Sequence, residues 1–287
     1  MSSEWLFIDG SSLIFRAFYG VPRSVQSPDG RTVNAVRGFL ETLTRMLSTR
    51  NPSRIAVASD ADWRPDWRVA LIPGYKAQRV AEPIPPGLIP QMPIIDDFLA
   101  AIGIDVAGVP DYEAEDVIAT WTAKAEGSVE IVSGDRDLFA LIEDPRVAVL
   151  YPEKGGWNIV DEAEVTRRYA IPGRHYAGFA MLRGDPSDGL PGLKGVGAVA
   201  AAAMIREHGG VEALISAGRL SDANREYLLR AMRVVPPVPD LPIDLPAGRR
   251  PRYPADPERL NELMATHGLQ ASSSRLVEAL NQHLRAS

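Results

Sequence analysis

Over its first two-thirds the chain alternates short apolar runs with longer amphipathic stretches. Apolar runs bounded by turn residues predict buried strands, and these fall at Glu4–Ile8, Arg54–Ala58 and Val129–Val132, with weaker candidates at Ile104–Ala107 and Val147–Leu150. Apolar residues at helical spacing predict helices over Val33–Leu47, Pro93–Ala101 and Ala114–Ala125. Because strands and helices alternate, we predict an α/β fold in which helices flank a mostly parallel central sheet.

Proline-rich segments interrupt this rhythm twice. Residues 73–92 contain five prolines, which predicts an ordered loop or a broken helical insertion. After about Pro186 the elements become small and helix-rich, and Pro236–Pro254 predicts an extended connector, followed by short helices near Pro257–Thr266 and Ser272–Leu284. The chain thus divides into an α/β core at 1–180, a helix-rich region at 181–235, and a C-terminal segment at 236–287 whose helices pack on the core.

Composition excludes several kinds of chemistry and location. With no cysteine among its 287 residues, the chain has no disulfide, no thiolate metal ligand and no cysteine nucleophile. The first residues, MSSEWLFIDGSS, lack the basic segment and long apolar run of a secretion signal. No stretch reaches the roughly 18 apolar residues that a membrane-spanning helix needs. We therefore expect a soluble, cytoplasmic protein.

The formal net charge of −6 argues at first against a nucleic-acid partner, since phosphate binding calls for a basic surface. The total conceals an uneven distribution, because nine of the 37 acids fall in the clusters described next. Without them, 28 acids face 31 Lys and Arg residues. The acidic total therefore neither excludes nor supports DNA as a partner.

Three of these acids directly follow predicted strands: Asp9 follows WLFI, Asp60 follows IAVAS and Asp135 follows EIVSG. Ligands of an open parallel sheet bind beyond the carboxyl ends of its strands, so we expect these carboxylates to converge. Of the other six, Asp137 lies two residues beyond Asp135. Glu113, Glu115 and Asp116 lie at the start of a predicted helix, and Asp185 and Asp188 lie in the turn-rich loop GDPSDGLPG.

So many like charges would repel one another by several kcal/mol unless cations lie between them. Mg²⁺ and Mn²⁺ take oxygen ligands and favour carboxylates. Two such ions, roughly 4 Å apart, could activate a water and support an in-line displacement at phosphorus. Taken singly, each acid could equally be a turn former or a helix cap. Taken together, the nine predict a metal pocket.

Five blocks of sequence stand out: IDGSSLIFRAF, DWRPDWRVALIPGYKAQR, YEAEDVIAT, VSGDRDLFAL and LRGDPSDGLPGLKGVG. They resemble, in order, the signature blocks of the 5′ nucleases, which include the flap endonucleases and the N-terminal 5′→3′ exonuclease domain of bacterial DNA polymerase I. The resemblance spans roughly residues 5–235, and the chain looks like a stand-alone nuclease without a polymerase. It implies a PIN-like nuclease core with an arch insertion at about 73–92, and a helix-hairpin-helix module at 181–235.

The resemblance also assigns the acids to two metal sites. The site nearer the scissile phosphate would use Asp9, Asp60, Glu113 and Glu115, and the second would use Asp135, Asp137 and Asp185. Asp116 and Asp188 would act through water or as further ligands. Two of these positions depart from the family pattern. Glu115 stands where many bacterial relatives have Asp, and Asp60 lies in SDADWRPDWR where relatives usually have Phe-Asp-Gly.

Lys76 and Arg79 fall in the Tyr-Lys-x-x-Arg block of the family, at the base of an arch under which a 5′ single strand passes. Two cations beside an acidic pocket can hold a phosphate as charge builds in the transition state. With Asp9 and Asp135 they form the predicted catalytic set. The alternative is a pair of solvated surface charges.

Other basic and aromatic side chains have two interpretations. Arg16 and Arg68 match basic positions of the family and would bind DNA, or they would pair with the surplus acids. Trp63 and Trp67 alternate with arginines in DWRPDWR and could stack on bases, although core packing of at least one of them is the simpler interpretation.

GLPGLKGVG resembles the helix-hairpin-helix turn with which these nucleases hold duplex DNA. Glycines let the backbone approach a phosphate, and a helix N-terminus supplies donors. Gly195 and Gly197 are the predicted backbone contacts for DNA and for a K⁺ ion, and Lys194 is a further DNA contact. Relatives often carry Lys-Thr after this turn, whereas this chain has AVAAA, so we expect weaker duplex binding.

We therefore expect a monomeric, bacterial, nucleoid-associated 5′→3′ exonuclease and 5′ flap endonuclease that uses Mg²⁺ or Mn²⁺. Its partners would be DNA with a 5′ end or flap beside a duplex, and proteins of replication or repair. Three alternatives fit less well. A PIN-type ribonuclease is shorter and lacks the hairpin-turn block, and an aspartyl phosphatase would carry a second Asp two residues after Asp9. A binding module would not retain so costly an acidic cluster.

Overall fold

A computed structural model describes residues 3–81 and 84–286. Six strands in this part of the chain form one sheet: β1 (Trp5–Asp9), β2 (Arg54–Ala58), β3 (Asp105–Ala107), β4 (Val129–Val132), β5 (Val147–Glu153) and β6 (Gly156–Val160). The strand order is β3-β2-β1-β4-β5-β6, and only the β5–β6 pair is antiparallel. The predicted mostly parallel α/β fold is confirmed.

Helices surround the sheet. They are α1 (Gly10–Gly20), α2 (Asn34–Arg50), α3 (Asp66–Leu71), α4 (Gln78–Ala81), α5 (Met92–Ile102), α6 (Ala114–Lys124), α7 (Glu162–Tyr169), α8 (Tyr176–Arg183), α9 (Ala198–His208), α10 (Val211–Ser216), α11 (Asp222–Val234), α12 (Pro257–His267) and α13 (Gln270–Ala286). Short 3-10 turns lie at Ile89–Gln91, Asp137–Leu141 and Gly173–His175. The predicted insertion at 73–92 contains α4 and the first of these turns, and its residues 82 and 83 lie outside the described part.

The two faces of the sheet carry separate apolar cores. Successive side chains of a strand point to opposite faces, and in β1 Phe7 belongs to one core while Leu6 and Ile8 belong to the other. The first core continues through α6 and α8, and the second through α2, α5 and α13. Because both faces are covered, the ends of the strands are the places where the sheet is open to a ligand.

The backbone of the C-terminal segment forms hydrogen bonds with several elements of the core. Val238 N donates to Asp116 Oδ1 at 2.8 Å, and Ile55 N donates to Gly248 O at 2.8 Å, so the proline-rich connector runs across α6 and reaches β2. Beyond it, Ala255 N donates to the carbonyl at the end of α5 at 3.0 Å. Within the described residues, no helix combines the length and the apolar character needed to cross a membrane.

Several elements are absent from the predictions, among them α3, α7, α8 and α11. Two others have a clear physical reason. Strand β6 is not predicted by the sequence, because its five residues GWNIV are largely exposed at the sheet edge and show no clear alternation. The turn before it uses Gly155 and Gly156 at φ of 103° and 150°, a region that favours glycine. Helix α1 is also absent from the predictions, because it begins directly at the end of β1 with Gly-Ser-Ser, which are weak helix formers.

Candidate active site

The carboxyl ends of the strands open into one pocket. Asp9 is the last residue of β1, while Asp60 and Asp135 follow β2 and β4. The pocket is an open cavity of about 570 Å³, large enough for a nucleotide-sized ligand. Eight of the nine predicted acids line it: Asp9, Asp60, Glu113, Glu115, Asp135, Asp137, Asp185 and Asp188.

The tightest group of acids consists of Glu115, Asp135 and Asp137. One carboxylate oxygen from each lies within 4.8 Å of the other two. Burial raises the pKa of Glu115 and of Asp137, and the charge of Asp135 raises the pKa of Asp137 further. Asp188 also has a raised pKa because it is buried. Carboxylates placed this close could together hold a divalent cation.

Asp9 and Asp60 are held by backbone donors. Ser12 N donates to Asp9 Oδ1 at 3.0 Å, so that Asp9 also caps α1, and Ala114 N donates to Asp60 Oδ1 at 2.7 Å at the start of α6. Burial raises the pKa of Asp9 to about 7, and the charge of Asp60 adds to the effect. Burial likewise raises the pKa of Asp60. These acids therefore cap or anchor helices and face the pocket at the same time.

Glu113 differs from the other acids because cations surround it. Lys76 Nζ donates to Glu113 Oε1 at 2.6 Å, the Tyr75 hydroxyl donates to Oε2 at 2.6 Å, and Arg68 pairs with Oε2. Arg79 NH1 lies 3.3 Å from Oε1. Burial acts to raise the pKa of Glu113, but the charges of Lys76 and Arg68 outweigh it, so the pKa is lowered. Glu113 is thus neutralised by the protein itself.

Arg68 has no solvent-exposed surface. Its guanidinium pairs with Glu113, lies 3.4 Å from Glu115 Oε1, and lies 2.7 Å from Asp116 Oδ1. A guanidinium without exposed surface cannot contact DNA, so the predicted DNA contact is corrected to an internal ion pair. The structure matches the alternative interpretation, in which this arginine pairs with the surplus acids.

Asp116 does not line the pocket and is fully buried. Its Oδ1 accepts from Arg68 and from Val238 N, and its Oδ2 accepts from Glu113 N at 3.1 Å, which completes a capping box at the start of α6. Successive residues of a helix point about 100° apart, so the neighbouring Glu115 faces the pocket while Asp116 does not. We therefore replace its predicted metal role with a positioning role.

Lys76 and Arg79 both line the pocket, but to different degrees. The Lys76 side chain is 1% exposed and that of Arg79 is 28% exposed. Burial acts to lower the pKa of Lys76, but the surrounding carboxylates raise it well above its usual value, so the ammonium stays charged.

The backbone of Lys76 is held against the loop that carries Asp188. Lys76 N donates to Asp188 O at 3.0 Å. A Cβ on Gly189 would lie 1.8 Å from the carbonyl of residue 74, so only glycine allows this approach.

The predicted DNA contacts outside the pocket are exposed. Arg16, on α1, lies over the Trp157 ring at 5.7 Å from its centroid. Lys194, Gly195 and Gly197 lie in the exposed turn before α9. The helix begins after Gly197 without a side-chain cap, so its first N–H groups are not satisfied by a capping side chain. The roles of these four residues in DNA binding stay predictions.

Two residues that hold the acids in place are not among the predicted site residues. Tyr75 precedes Lys76 and has a largely apolar side chain, yet its hydroxyl donates a hydrogen bond to Glu113. The Ser133 hydroxyl donates to Asp9 and accepts from Asp135 N at 2.9 Å, so it links two strand ends. Its position in VSGDRD, directly after a strand and before the acids, is the signal that could have identified it.

Comparison with known proteins agrees with this geometry. The family profile described as 5′-3′ exonuclease, N-terminal resolvase-like domain matches residues 4–170. A 5′-3′ exonuclease of Streptomyces coelicolor is 45% identical over 299 residues, which cover 96% of this chain and 99% of the relative. The chain belongs to the 5′-3′ exonuclease family. As a member of this family it is a phosphodiester hydrolase.

Further members differ in length or in sequence. A DNA polymerase I of Mycobacterium tuberculosis is 36% identical over 96% of this chain, but the match covers 32% of the polymerase. The flap endonuclease of bacteriophage T5, solved as a pseudo-enzyme-product complex with DNA and metal ions, aligns over 98% of this chain and 99% of its own with a TM-score of 0.67. At 16% identity, this last likeness shows that the fold of the 5′-3′ exonuclease family is shared.

Proposed function

We propose that this protein is a structure-specific 5′→3′ exonuclease and 5′ flap endonuclease that cuts DNA at the acidic pocket. The observation that carries the proposal is the convergence of eight acids on one open cavity beside two basic side chains. The relatives named 5′-3′ exonuclease and flap endonuclease support the choice of DNA with a 5′ end or flap as substrate. Processing of Okazaki fragments and DNA repair are the tasks that such an activity would serve.

The side chains of the pocket fit Mg²⁺ or Mn²⁺ because its donors are carboxylate oxygens. Asp135, Asp137 and Asp185 would hold one ion, and Asp9 and Asp60 would hold the other, with Asp188 acting through water. Glu113, predicted as a further ligand, keeps Lys76 and Arg68 as its partners. Glu115 lies with Asp135 and Asp137, so it would help them to hold the first ion. Two bound ions supply the charge neutralisation that the attacking and leaving oxygens of an in-line displacement require.

The basic side chains would act on the phosphate of the substrate. Arg79 is partly exposed and can donate to a phosphate oxygen without leaving its place. Lys76 is buried against Glu113, so it would act on the phosphate through its charge. It would contact the phosphate directly only if Glu113 released it. Preorganised donors of this kind stabilise charge that develops during the reaction, because they need no reorganisation at that moment.

The turn before α9 would hold the duplex next to the cleavage point. Its backbone, including Gly195 and Gly197, would contact a phosphate and a K⁺ ion, and Lys194 would add one charge. Contacts of this kind go to the phosphate backbone and do not read the base sequence. We therefore propose that selection of the substrate depends on DNA shape and on the presence of a 5′ end.

The test is cleavage of a duplex with a 5′-labelled flap, with Mg²⁺ or Mn²⁺ and with EDTA. We expect metal-dependent release of short labelled products by the wild type. Asp135→Asn keeps the shape of the side chain but removes its charge, and should abolish cleavage. Asp97→Asn is the matched control, because Asp97 is exposed, pairs with Arg259 and lies outside the pocket. Absence of metal-dependent cleavage, or equal rates for all three proteins, would contradict the proposal.

A further inference from the structure

Four aromatic side chains line the acidic pocket together with the carboxylates. Phe15 and Tyr19 come from α1, Trp63 comes from the loop that follows β2, and Tyr151 comes from β5. None of the four is buried: Tyr19 is 70% exposed, and Phe15, Trp63 and Tyr151 are half-buried. Large apolar surfaces beside a highly charged pocket are unfavourable in water. They indicate that the ligand of the pocket has an apolar, flat part as well as a phosphate.

Trp63 and Phe15 present nearly parallel faces. Their ring centroids lie 6.5 Å apart with an angle of 24° between the ring planes. This separation is at the long end of the range for aromatic pairs, so the two rings do not cover each other fully. Part of the indole face therefore stays available to a third flat ring.

The neighbouring tryptophan has a different environment. Trp67 donates from Nε1 to Asp111 O at 2.9 Å, its ring packs against Tyr112, and the buried Arg68 guanidinium lies 4.9 Å from its centroid. It does not line the pocket. The motif DWRPDWR thus places one tryptophan in the packing around Arg68 and the other, Trp63, at the pocket.

Trp63 also contacts Arg79, the partly exposed cation of the pocket. Arg79 NH1 donates to Trp63 O at 2.5 Å, and its guanidinium lies 5.7 Å from the centroid of the indole ring. The same NH1 lies 3.3 Å from Glu113 Oε1. The flat apolar face and the phosphate-binding charge are therefore neighbours. A nucleotide likewise carries a flat base and a charged phosphate close together.

We propose that Trp63, supported by Phe15, stacks on the unpaired base of the nucleotide whose phosphate enters the pocket. This inference rests on the proposed nuclease function and adds a residue that determines its specificity. A base can lie on the indole face only after it has left the duplex, so the contact favours an unpaired nucleotide next to the cut. Stacking tolerates every base because each has a π-face, so the contact selects structure and not sequence.

The test combines a change in the protein with a change in the DNA. Flap substrates carry either a normal base or an abasic sugar at the nucleotide on one or the other side of the scissile phosphate. Single-turnover cleavage is measured for the wild type, Trp63→Phe and Trp63→Ala. On normal DNA we expect Trp63→Ala to be slower by on the order of tenfold to a hundredfold. Trp63→Phe should keep most of the rate.

The decisive result is the ratio between substrates. If Trp63 stacks on the base, removal of that base should slow the wild type by a similar factor and leave Trp63→Ala almost unchanged. If Trp63→Ala slows cleavage only by disturbing Arg79, it should slow the normal and the abasic substrate by the same factor. The rate losses from Trp63→Ala and from removal of the base would then multiply, and this result would overturn the inference. Val106→Ala, at an exposed position on the edge strand β3, serves as the control and should behave as the wild type.

A binding measurement keeps this inference separate from the proposed nuclease function. 2-Aminopurine at the same nucleotide, in EDTA so that no cleavage occurs, should lose fluorescence when the wild type binds, because stacking quenches it. Trp63→Ala should bind without this loss. If the wild type quenches but never cleaves, the proposed function fails while the stacking contact stands. If the wild type cleaves while neither the quench nor the abasic ratio depends on Trp63, the stacking inference fails alone.

Discussion

The two halves of the acidic pocket solve the same electrostatic problem in different ways. Around Glu113, the protein supplies its own cations, and the pKa of that carboxyl is lowered. Around Glu115, Asp135 and Asp137, carboxylates face one another, and the pKa values of Glu115 and Asp137 are raised. We call these the paired half and the open half. The difference shows that internal ion pairs do not balance every acid of the pocket. The open half is therefore the part of the pocket that could take ions from solution.

The largest expected effect follows from removing one charge of the open half. Asp137→Asn should reduce metal-dependent cleavage by on the order of a thousandfold or more, because a ligand of the ions that stabilise the transition state is lost. The same change should raise the free energy of unfolding without metal at pH 8, because it removes like-charge repulsion. Cleavage rates and urea unfolding measure the two effects. Loss of activity together with loss of metal-free stability would contradict the division into halves.

Replacing the buried arginine of the paired half should lower the free energy of unfolding more than replacing an arginine of an exposed ion pair. Arg68→Met removes a buried guanidinium and leaves three acids short of a partner, so we expect about 3–5 kcal/mol of destabilisation. Arg259→Met is the matched control, because Arg259 pairs with Asp97 at the surface, where water screens the pair, and should contribute much less. Urea unfolding of both variants tests the prediction. Equal effects would mean that burial of the Arg68 pairs does not matter.

Asp9, which lies close enough to Asp135 of the open half to feel its charge, should make the metal-free protein less stable as the pH rises. The pKa of Asp9 is raised in the folded state to about 7 from an ordinary 3.8, so folding favours its neutral form. Its contribution to stability is complete below about pH 4 and is lost as the pH rises through about 7, and it amounts to about 2–4 kcal/mol. Mn²⁺ should therefore raise the melting temperature more at pH 8 than at pH 5. In Asp9→Asn this difference should shrink, and an unchanged difference would contradict the assignment.

The smallest expected effect concerns a single neutral partner of the paired half. Tyr75→Phe removes the hydroxyl that donates to Glu113 Oε2 and keeps the ring, so we expect about 1.5 kcal/mol of destabilisation. Because Lys76 and Arg68 stay in place, cleavage should fall much less than in Asp137→Asn. Urea unfolding and cleavage rates of the same preparation provide the comparison. A loss of activity as large as that of Asp137→Asn would contradict the expectation that Lys76 and Arg68 hold Glu113 in place without the hydroxyl.

The outline of the pocket follows from the sequence because strand ends can be located there. Asp9, Asp60 and Asp135 each come directly after an apolar run, and the carboxyl ends of parallel strands meet at one edge of the sheet. Strands β2 and β4 have the predicted bounds for the same reason: short apolar runs bounded by turn residues leave little freedom.

The division into halves could not be read from the sequence. Whether Arg68 points to DNA or inward depends on where the tertiary fold places the short helix α3 relative to the acids at the start of α6. A six-residue helix has too few residues to show a buried face. Glu115 and Asp116 are neighbours of the same charge, and only the packing of the first turn of α6 decides which of them faces the pocket. The connector that donates to Asp116 from Val238 lies more than a hundred residues away.

The central claim is that ions bind in the open half and that the paired half keeps its own cations. Crystals grown with Mn²⁺ and measured for anomalous scattering test it directly. We expect peaks roughly 2.0–2.2 Å from the carboxylate oxygens of Glu115, Asp135 and Asp137, with Lys76 still bonded to Glu113. No peak at these three carboxylates under saturating Mn²⁺, or a peak on the Lys76 side of Glu113 with that lysine displaced, would contradict the account.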